Sequence, residues 1–311
     1  MIISSVSKRL FVALFLSLIL LISACGSEKS GGDLNEFERE EMAWRESRES
    51  AMRDSTSWLT IAGLFWLEQG ANSFGSSPDN QISLPQHSSP ARAGELILEN
   101  DRVRLRAAGE AGISLQGRPV LSADLRSDAG GEPDRIEMGD LRMWIIERDG
   151  RKALRVRDFR AERFLEFEKL YFYPPDPDYR VIGTFVPHDK AESIMLSTVA
   201  GTRAEIASTG KVEFNLKGRE LSLVLLDGGE NSYFIIFRDE TSGRETYGAC
   251  RYMSAADLGE QMVELNFNRA VNPPCAYTPY ATCPLPPPEN ILPVSVEAGE
   301  KKYPAGGHSG R

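Results

Sequence analysis

Polar side chains that could bind a ligand lie in two neighbouring stretches near the C-terminal end of the sequence. The first stretch reads FRDETSGRETYGACRYM, and the second follows a short strand-like run and reads NRAVN. The candidate residues are Asp239, Glu245, Tyr247, Arg251, Asn268, Arg269 and Asn272. An arginine beside amides and carboxylates can recognise a carboxylate or a sugar-like molecule through paired hydrogen bonds. The pattern therefore predicts a site for a small polar or anionic ligand.

Two other interpretations of this cluster stay open. The arginines and acids could instead form buried pairs that satisfy loop carbonyls left without donors by the neighbouring prolines. The cluster could also belong to a hydrolase in which Asp239 or Glu245 acts as general acid or base. The sequence contains neither a G-x-S-x-G elbow nor an H-E-x-x-H motif, so the question of an enzyme stays open, and no cofactor is expected.

Three cysteines lie in the same region of the sequence. In an oxidising compartment Cys275 and Cys283 could form a disulfide that closes a short loop and leaves Cys250 as a free thiol. The alternative is that they are buried free thiols, which behave as small apolar side chains. No histidine and no closely spaced cysteine pair accompanies them, so we expect no metal site.

A proline-rich segment must hold these groups in place. Residues 265–294 read LNFNRAVNPPCAYTPYATCPLPPPENILPV. Proline fixes φ and removes a backbone donor, so such a segment keeps a defined shape without regular hydrogen bonding. We expect it to cover one end of a β-domain. We also expect Asn268, Arg269 and Asn272 to lie close to Asp239 and Arg251 in one concavity beneath it.

The remainder of the chain reads as short strands separated by turn signals. Asp149-Gly150, Lys217-Gly218 and Ser242-Gly243 suit tight hairpins, and a strand over Glu245–Tyr252 would place alternate residues on one face. The pattern predicts a mainly β fold, an antiparallel sandwich or barrel-like domain with one N-terminal amphipathic helix and a Pro-rich C-terminal loop. The domain should span 34–303, with a boundary near 174.

The two ends of the chain have a different character. Residues 1–24 combine Lys8 and Arg9 with a long apolar run and small residues before Cys25, which is typical of a lipoprotein signal peptide. We expect acyl chains on Cys25 to anchor the protein to a membrane. The polar residues 25–33 read as a flexible tether, and residues 304–311 as a disordered tail. Gly26 favours the outer membrane by the sorting rule of known bacterial lipoproteins.

The charge of the chain excludes one class of partner. The formal net charge is −9, and it becomes −11 without the two positive charges of the signal peptide. Nucleic-acid binding needs a basic face, so no nucleic acid is expected as a partner.

The Pro/Cys run NPPCAYTPYATCPLPPPEN, with FRDETSGRETYGACRYM before it and VEAGEKKY after it, resembles the uncharacterised bacterial family known as domain of unknown function 1684. The resemblance extends from about Trp44 to Tyr303. It implies one compact, mostly β unit with its site around the C-terminal loop. The chain differs from the family pattern at Asn266, Val271 and Cys250, where Asp, Tyr and Gly are usual. The resulting expectation is a cell-envelope lipoprotein of unknown molecular function that binds a ligand or has a structural role, with a hydrolase as the alternative.

Overall fold

The computed structural model describes residues 35–304. The chain divides into two compact units between Arg39 and Glu40, and the described part of the first unit is limited to residues 35–39. Helix α1 (Glu36–Met52) starts there, and all of the β-structure belongs to the second unit. Cys25, the predicted signal peptide and the predicted tether lie outside the described residues, as do residues 305–311 of the predicted tail.

The first half of the second unit is a β-sandwich. Its six-stranded sheet has the order β1-β11-β10-β9-β6-β7, and its five-stranded sheet has the order β3-β2-β4-β5-β8. The strands are β1 (Ile61–Trp66), β2 (Gly70–Gly75), β3 (Ile82–Ser83), β4 (Gly94–Glu99), β5 (Arg102–Ala107), β6 (Ser114–Leu115), β7 (Arg118–Pro119), β8 (Ser122–Leu125), β9 (Ile136–Met138), β10 (Leu141–Arg148) and β11 (Arg151–Asp158). Alternate residues such as Leu96, Leu105, Met143 and Leu154 point between the sheets and form one apolar core.

The second half is a closed six-stranded antiparallel barrel. A short helix α2 (Glu162–Leu165) and a 3₁₀ turn lie between the sandwich and the barrel. The strands are β12 (Arg180–Ser197), β13 (Arg203–Leu216), β14 (Arg219–Asp227), β15 (Ser232–Phe237), β16 (Arg251–Gly259) and β17 (Met262–Asn266). Pairing of Arg180 with Asn266 and of Thr184 with Met262 joins the first strand to the last and closes the barrel.

The structure confirms the predicted fold class, an antiparallel mainly β domain with one N-terminal helix. It contains both of the predicted architectures, since a sandwich is followed by a barrel. The turns at Asp149-Gly150 and Lys217-Gly218 have positive φ at both residues, as tight hairpins require.

One predicted strand is wrong. Residues 245–250 form turns and an irregular segment, and β16 begins only at Arg251. The reason is local hydrogen bonding: the backbone N–H and the hydroxyl of Thr241 donate to Asp239 Oδ1, at 2.6 and 2.5 Å, and the Thr241 and Thr246 hydroxyls are 2.8 Å apart. Short polar side chains compete with the sheet ladder in this way. Glu245 and Tyr247 therefore do not share a strand face with Arg251.

A gap between two barrel strands is filled by the side chain of Asn290. β14 and β15 pair only at Leu226–Phe234 and Asp227–Tyr233. Beyond that point Asn290 Oδ1 accepts from Val224 N at 2.7 Å, and its Nδ2 donates to the carbonyls of Val224 and Ile236 at 3.1 and 2.9 Å. The amide thus replaces the ladder bonds that the two strands do not make with each other.

The proline-rich segment, residues 265–294, contacts both the barrel core and the end of α1. Leu292 and Val294 of the proline-rich segment, with Val296 and Ala298 just after it, pack in the barrel core, so this end of the segment covers the barrel. The earlier part of the segment packs elsewhere, since Ala276 and Tyr277 lie against Met52 at the end of α1. No helix within residues 35–304 is long and apolar enough to cross a bilayer.

Candidate functional site

A cleft of about 580 Å³ lies between α1 and the outer wall of the barrel. Strand alternation in β15, β16 and β17 sends one set of side chains into the core and the other set outward. The outward set forms the floor of the cleft, and α1 forms one wall. We call it the helix–barrel cleft, and the side chains that line it include Trp44, Arg48, Phe234, Tyr252, Glu264, Asn266 and Arg269.

Two reciprocal ion pairs hold α1 beside the barrel. Glu41 of the helix is fully buried and accepts from Arg269 Nε at 3.0 and 3.2 Å and from Asn266 Nδ2 at 2.8 Å. Seven residues further along the helix, Arg48 Nε donates to the buried Glu300 at 2.9 Å. Residues seven apart lie on one face of a helix, so both ion pairs form on the same side of α1. In the first pair the helix supplies the carboxylate, Glu41, and in the second it supplies the guanidinium, Arg48.

Glu300 is the centre of a buried hydrogen-bond network. Its carboxylate also accepts from the Tyr277 hydroxyl at 2.8 Å and from the Asn272 backbone N–H at 2.7 Å. Burial opposes the charged form of Arg48, but the Glu300 carboxylate and the Tyr277 hydroxyl outweigh it and raise the pKa of Arg48. Burial, together with the Glu300 charge, also raises the pKa of the Tyr277 hydroxyl. The Tyr277 hydroxyl therefore stays protonated and donates to Glu300, beside the Arg48 guanidinium.

The backbone at Gly299 allows Glu300 to reach this position. Gly299 has φ +79°, and a Cβ there would lie 2.5 Å from the Ala270 carbonyl oxygen and 2.8 Å from that of Phe267. Only glycine tolerates both the left-handed conformation and this close approach. The following N–H, that of Glu300, donates to the Ala270 carbonyl at 2.8 Å, which fixes the carboxylate beneath α1.

The predicted grouping of the seven site residues is wrong in part. Arg251 and Asp239 do pair, through Arg251 Nη2 and Asp239 Oδ2, but both are sealed in the barrel rather than placed in a concavity. Burial lowers the pKa of Arg251, and Asp239 acts in the opposite direction. Arg269 binds Glu41 instead of Asp239, because the polar face of α1 comes between the loop and solvent.

The remaining predicted site residues are structural or exposed. Asn268 is fully buried and exchanges two hydrogen bonds of 2.9 Å with the Asp176 backbone, while Asn272 Nδ2 donates to the Lys301 carbonyl at 2.8 Å. The Tyr247 hydroxyl donates to the Cys275 carbonyl at 3.0 Å, and burial raises its pKa. Glu245 is exposed in a turn.

The cysteines of the segment are free thiols in this structure, so the disulfide between Cys275 and Cys283 is not formed in it. The two residues are nevertheless in contact, because the backbone N–H of Cys275 donates to Cys283 Sγ at 3.2 Å. Among the residues that the structure describes, no three His, Cys, Asp or Glu side chains are grouped to hold a metal ion.

Most of the residues that sequence reasoning missed lie outside the polar stretches that it emphasised. Glu41, Trp44 and Arg48 belong to the N-terminal helix, and Glu300 follows the proline-rich loop. Glu41 and Arg48 are seven residues apart and share one helix face with Trp44, a spacing that could have been read as an inward face.

Comparison with known proteins gives a family match for the C-terminal half of the chain. Residues 165–301 match the family described as "Protein of unknown function (DUF1684)". The chain carries a DUF1684 domain. An uncharacterised protein of Haloarcula marismortui, solved by solution NMR, is 34% identical over 44% of this chain and 77% of that chain, with a TM-score of 0.38. The FHA domain of FhaA, solved in complex with the intracellular domain of another protein, is 20% identical over 30% of this chain and 97% of that chain, with a TM-score of 0.22. No curated protein matches.

The DUF1684 domain contributes only part of the helix–barrel cleft. The matched residues include the whole barrel, Arg269 and Glu300, whereas Glu41, Trp44 and Arg48 precede the match. The cleft is thus completed by the N-terminal helix, which the family model does not include.

Proposed function

We propose that this protein is a ligand-binding lipoprotein of the cell envelope, which holds a small carboxylate with a flat apolar body in the helix–barrel cleft. The observation that carries the proposal is the state of Arg269. Its Nε is held by the buried Glu41, its side chain is 36% exposed, and within residues 35–304 neither of its Nη atoms makes a hydrogen bond. A guanidinium whose fork is free and whose orientation is fixed suits bidentate binding of a carboxylate.

The walls of the cleft suit the remainder of such a ligand. The Trp44 ring centroid lies 5.8 Å from the Arg269 guanidinium carbon, and Phe234 and Tyr252 pack edge to face on the barrel side. A flat apolar group could stack between them, since aromatic side chains provide large apolar contact. The volume of about 580 Å³ falls within the roughly 300–1,000 Å³ of small-molecule sites.

Hydrolysis has less support than binding. Asp239 is buried and its carboxylate is occupied by Arg251 and Thr241, so it is in no position to reach a substrate. Glu245 lies exposed on a turn, where its nearest ionic partner is the neighbouring Arg244 at 3.9 Å. Neither carboxylate lines the helix–barrel cleft.

A thermal-shift series tests the binding proposal. Aromatic and cyclic carboxylates should raise the melting temperature of the whole protein by mass action, and the matched primary amides should not. Arg269→Lys keeps the charge but loses the fork, so it should weaken the shift. Arg104→Gln removes an exposed arginine of the sandwich and serves as the control. Equal shifts with acids and amides, or no shift with any acid, would overturn the proposal.

The envelope address is proposed on separate grounds. It rests on the apolar run before Cys25 and on the polar tether after it.

A further inference from the structure

Arg155 is a buried arginine with two guanidinium nitrogens that find no hydrogen-bond acceptor in the described part of the chain. It lies on β11 between Leu64 of β1 and Trp144 of β10, and it is 4% exposed. Within residues 35–304, its Nε and Nη2 atoms are buried without a partner. A guanidinium stays protonated in proteins, and a buried charge without compensation is very costly. The site therefore calls for a negative charge close to Arg155.

The carboxylate on this face of the sandwich is already taken. Asp128 accepts from both Nη atoms of Arg148, at 3.0 and 2.8 Å. Arg157, the next outward residue on β11, donates through Nη1 to the Ser57 carbonyl and the Thr60 hydroxyl, both at 2.7 Å. Asp128 attracts Arg155, whereas Arg148 and Arg157 repel it, so the carboxylate and the two arginines together leave Arg155 uncompensated.

The sulfur of Cys283 is placed to supply the missing charge. The segment that carries it lies over this face of the sandwich, because the Thr278 hydroxyl donates to the Ile61 carbonyl at 2.9 Å and Tyr280 packs against the cluster of Ile61 and Trp144. Cys283, three residues after Tyr280, is 4% exposed and lies close enough to Arg155 to attract its charge. Its Sγ accepts the Cys275 backbone N–H at 3.2 Å, and the Tyr252 hydroxyl, which donates to the neighbouring Pro284 carbonyl at 3.0 Å, lies close by. A backbone N–H that donates to the sulfur and an unpartnered guanidinium in the same buried region form an environment that stabilises a thiolate.

The two thiols have opposite tendencies to ionise. The hydrogen bond from the Cys275 thiol lowers the pKa of Cys283, and the Cys275 N–H, Tyr252 and Arg155 act in the same direction against burial. The same hydrogen bond and burial raise the pKa of Cys275. Burial lowers the pKa of Arg155 to about 10, so Arg155 remains a cation at neutral pH. The other titratable groups that interact with this sulfur pair are Cys250 and Tyr247.

We propose that Cys283 and Arg155 form a buried thiolate–guanidinium pair, and that Cys283 is a redox-active cysteine that reacts with small hydroperoxides and then forms a disulfide with Cys275. The proposal is independent of the ligand in the helix–barrel cleft. Cys275 is partly exposed and Cys283 is not, so the route to the sulfur admits a small oxidant such as hydrogen peroxide more readily than a large one.

The reaction has two balanced steps. The Cys283 thiolate attacks one oxygen of hydrogen peroxide: an S–O bond forms, the O–O bond breaks, the sulfur is oxidised to a sulfenic acid and hydroxide leaves. The Cys275 sulfur then attacks the Cys283 sulfur: an S–S bond forms, the S–O bond breaks, and the hydroxyl leaves as water with the Cys275 proton. The peroxide is reduced to water and hydroxide.

The pH dependence of alkylation tests the ion pair. Iodoacetamide is applied to the whole protein and the labelled cysteine is identified by mass spectrometry. The rate at Cys283 should have a midpoint below the pKa of about 8.5 of a free thiol. Arg155→Met should raise that midpoint by about one pH unit or more, and Arg155→Lys should largely restore it. Arg151→Met, an exposed arginine on the same strand, is the matched control and should leave it unchanged.

A wild-type midpoint at or above that of a free thiol overturns the ion pair without any need for the variants to fold. An equal midpoint in wild type and Arg155→Met also overturns it.

Treatment with hydrogen peroxide tests the redox step. In both wild type and Cys250→Ser, the peptides that contain Cys275 and Cys283 should become linked by a disulfide, and their combined mass should fall by that of two hydrogens. Cys275→Ser should accumulate a sulfenic acid on Cys283 that dimedone traps, and Cys283→Ser should leave Cys275 reduced. Oxidation of Cys275 in Cys283→Ser at the wild-type rate would refute the assignment.

Discussion

The guanidinium of Arg251 and the carboxylate of Asp239 form an ion pair sealed at one end of the barrel, where the two side chains are 1% and 0% exposed. Arg251 also donates to the carbonyl oxygens of Val296, at 2.9 Å, and of Ala298. One buried cation therefore joins β16, the turn after β15 and the C-terminal segment. Its role is to fasten the cover of the barrel, and the cleft for a ligand lies elsewhere.

Breaking this sealed pair should be severely destabilising. Arg251→Met leaves Asp239 as an unpaired buried charge, so the free energy of unfolding should fall by about 3–5 kcal/mol in urea titrations. Arg104→Met is the control, because Arg104 and Asp124 are 54% and 62% exposed and such a pair contributes less than about 1 kcal/mol. The double variant Arg251→Met with Asp239→Leu should recover much of the loss. Equal losses at the buried and the exposed pair would contradict this account.

Arg269→Ala should both destabilise the protein and remove ligand binding. Glu41 would be left buried with only Asn266 as a side-chain partner, at a cost of about 2–3 kcal/mol, since the partly exposed Arg269 is less tightly enclosed than Arg251. Adding Glu41→Gln should restore most of the stability but none of the carboxylate-induced thermal shift. A double variant that recovered the thermal shift would show that Arg269 does not contact the ligand.

Acid should weaken the sandwich through Asp134. Hydrogen bonds from the Arg126 side chain lower the pKa of this carboxyl, with smaller help from the Arg126 backbone N–H and against burial. The folded pKa of Asp134 lies below the unfolded value of about 3.9. The stabilisation that the Asp134 carboxylate adds to the folded state is therefore fully present above pH about 4 and is lost as pH falls through the folded pKa. Asp134→Asn and Arg126→Met should each flatten the decline of unfolding free energy over that range. An unchanged slope in both would refute the linkage.

Lipidation of Cys25 is tested by metabolic labelling. An acyl-chain probe should mark the wild-type protein and leave Cys25→Ser unmarked, because the residue lies directly after the small residues of the signal sequence. Cys250→Ser retains the N-terminal cysteine and is the matched control. Equal labelling of Cys25→Ser and wild type would show that the anchor is elsewhere or absent.

Asn290→Leu should open the gap between β14 and β15. The substitution preserves approximate size but leaves three main-chain groups of Val224 and Ile236 without partners. At about 1–3 kcal/mol for each buried unpaired group, the unfolding free energy should fall by about 3 kcal/mol or more. Asn215→Leu removes an exposed asparagine from the neighbouring hairpin and should change it little. A comparable loss at both positions would argue against a special role for Asn290.

The fold could be read from the sequence where the signal was local. Alternation along strands and glycine turns such as Asp149-Gly150 identified the antiparallel class and most of the strands, because strand period and turn conformation depend on neighbouring residues alone. The segment after Asp239 was misread as a strand, since the hydrogen bonds of Thr241 and Thr246 override its apparent alternation.

The pairing of distant charges could not be read in the same way. Arg269 was expected near Asp239, the acidic candidate of the neighbouring hairpin, whereas its partner Glu41 lies more than two hundred residues away. Glu300 and Arg48 are separated similarly. Which acid meets which arginine depends on how the helix docks, and no local pattern contains that information. Arg251 does meet Asp239, and both flank one connection of the barrel.

The bridging amide of Asn290 has a consequence for synthesis on the ribosome. All six strands of the barrel have been made once Asn266 emerges, yet the groups at Val224 and Ile236 still have no partners. Until Asn290 follows, the nascent chain exposes an unpaired strand edge of the kind that recruits other chains. A chain that ends before Asn290, through a truncated messenger RNA or through proteolysis, should therefore aggregate although it contains every barrel strand.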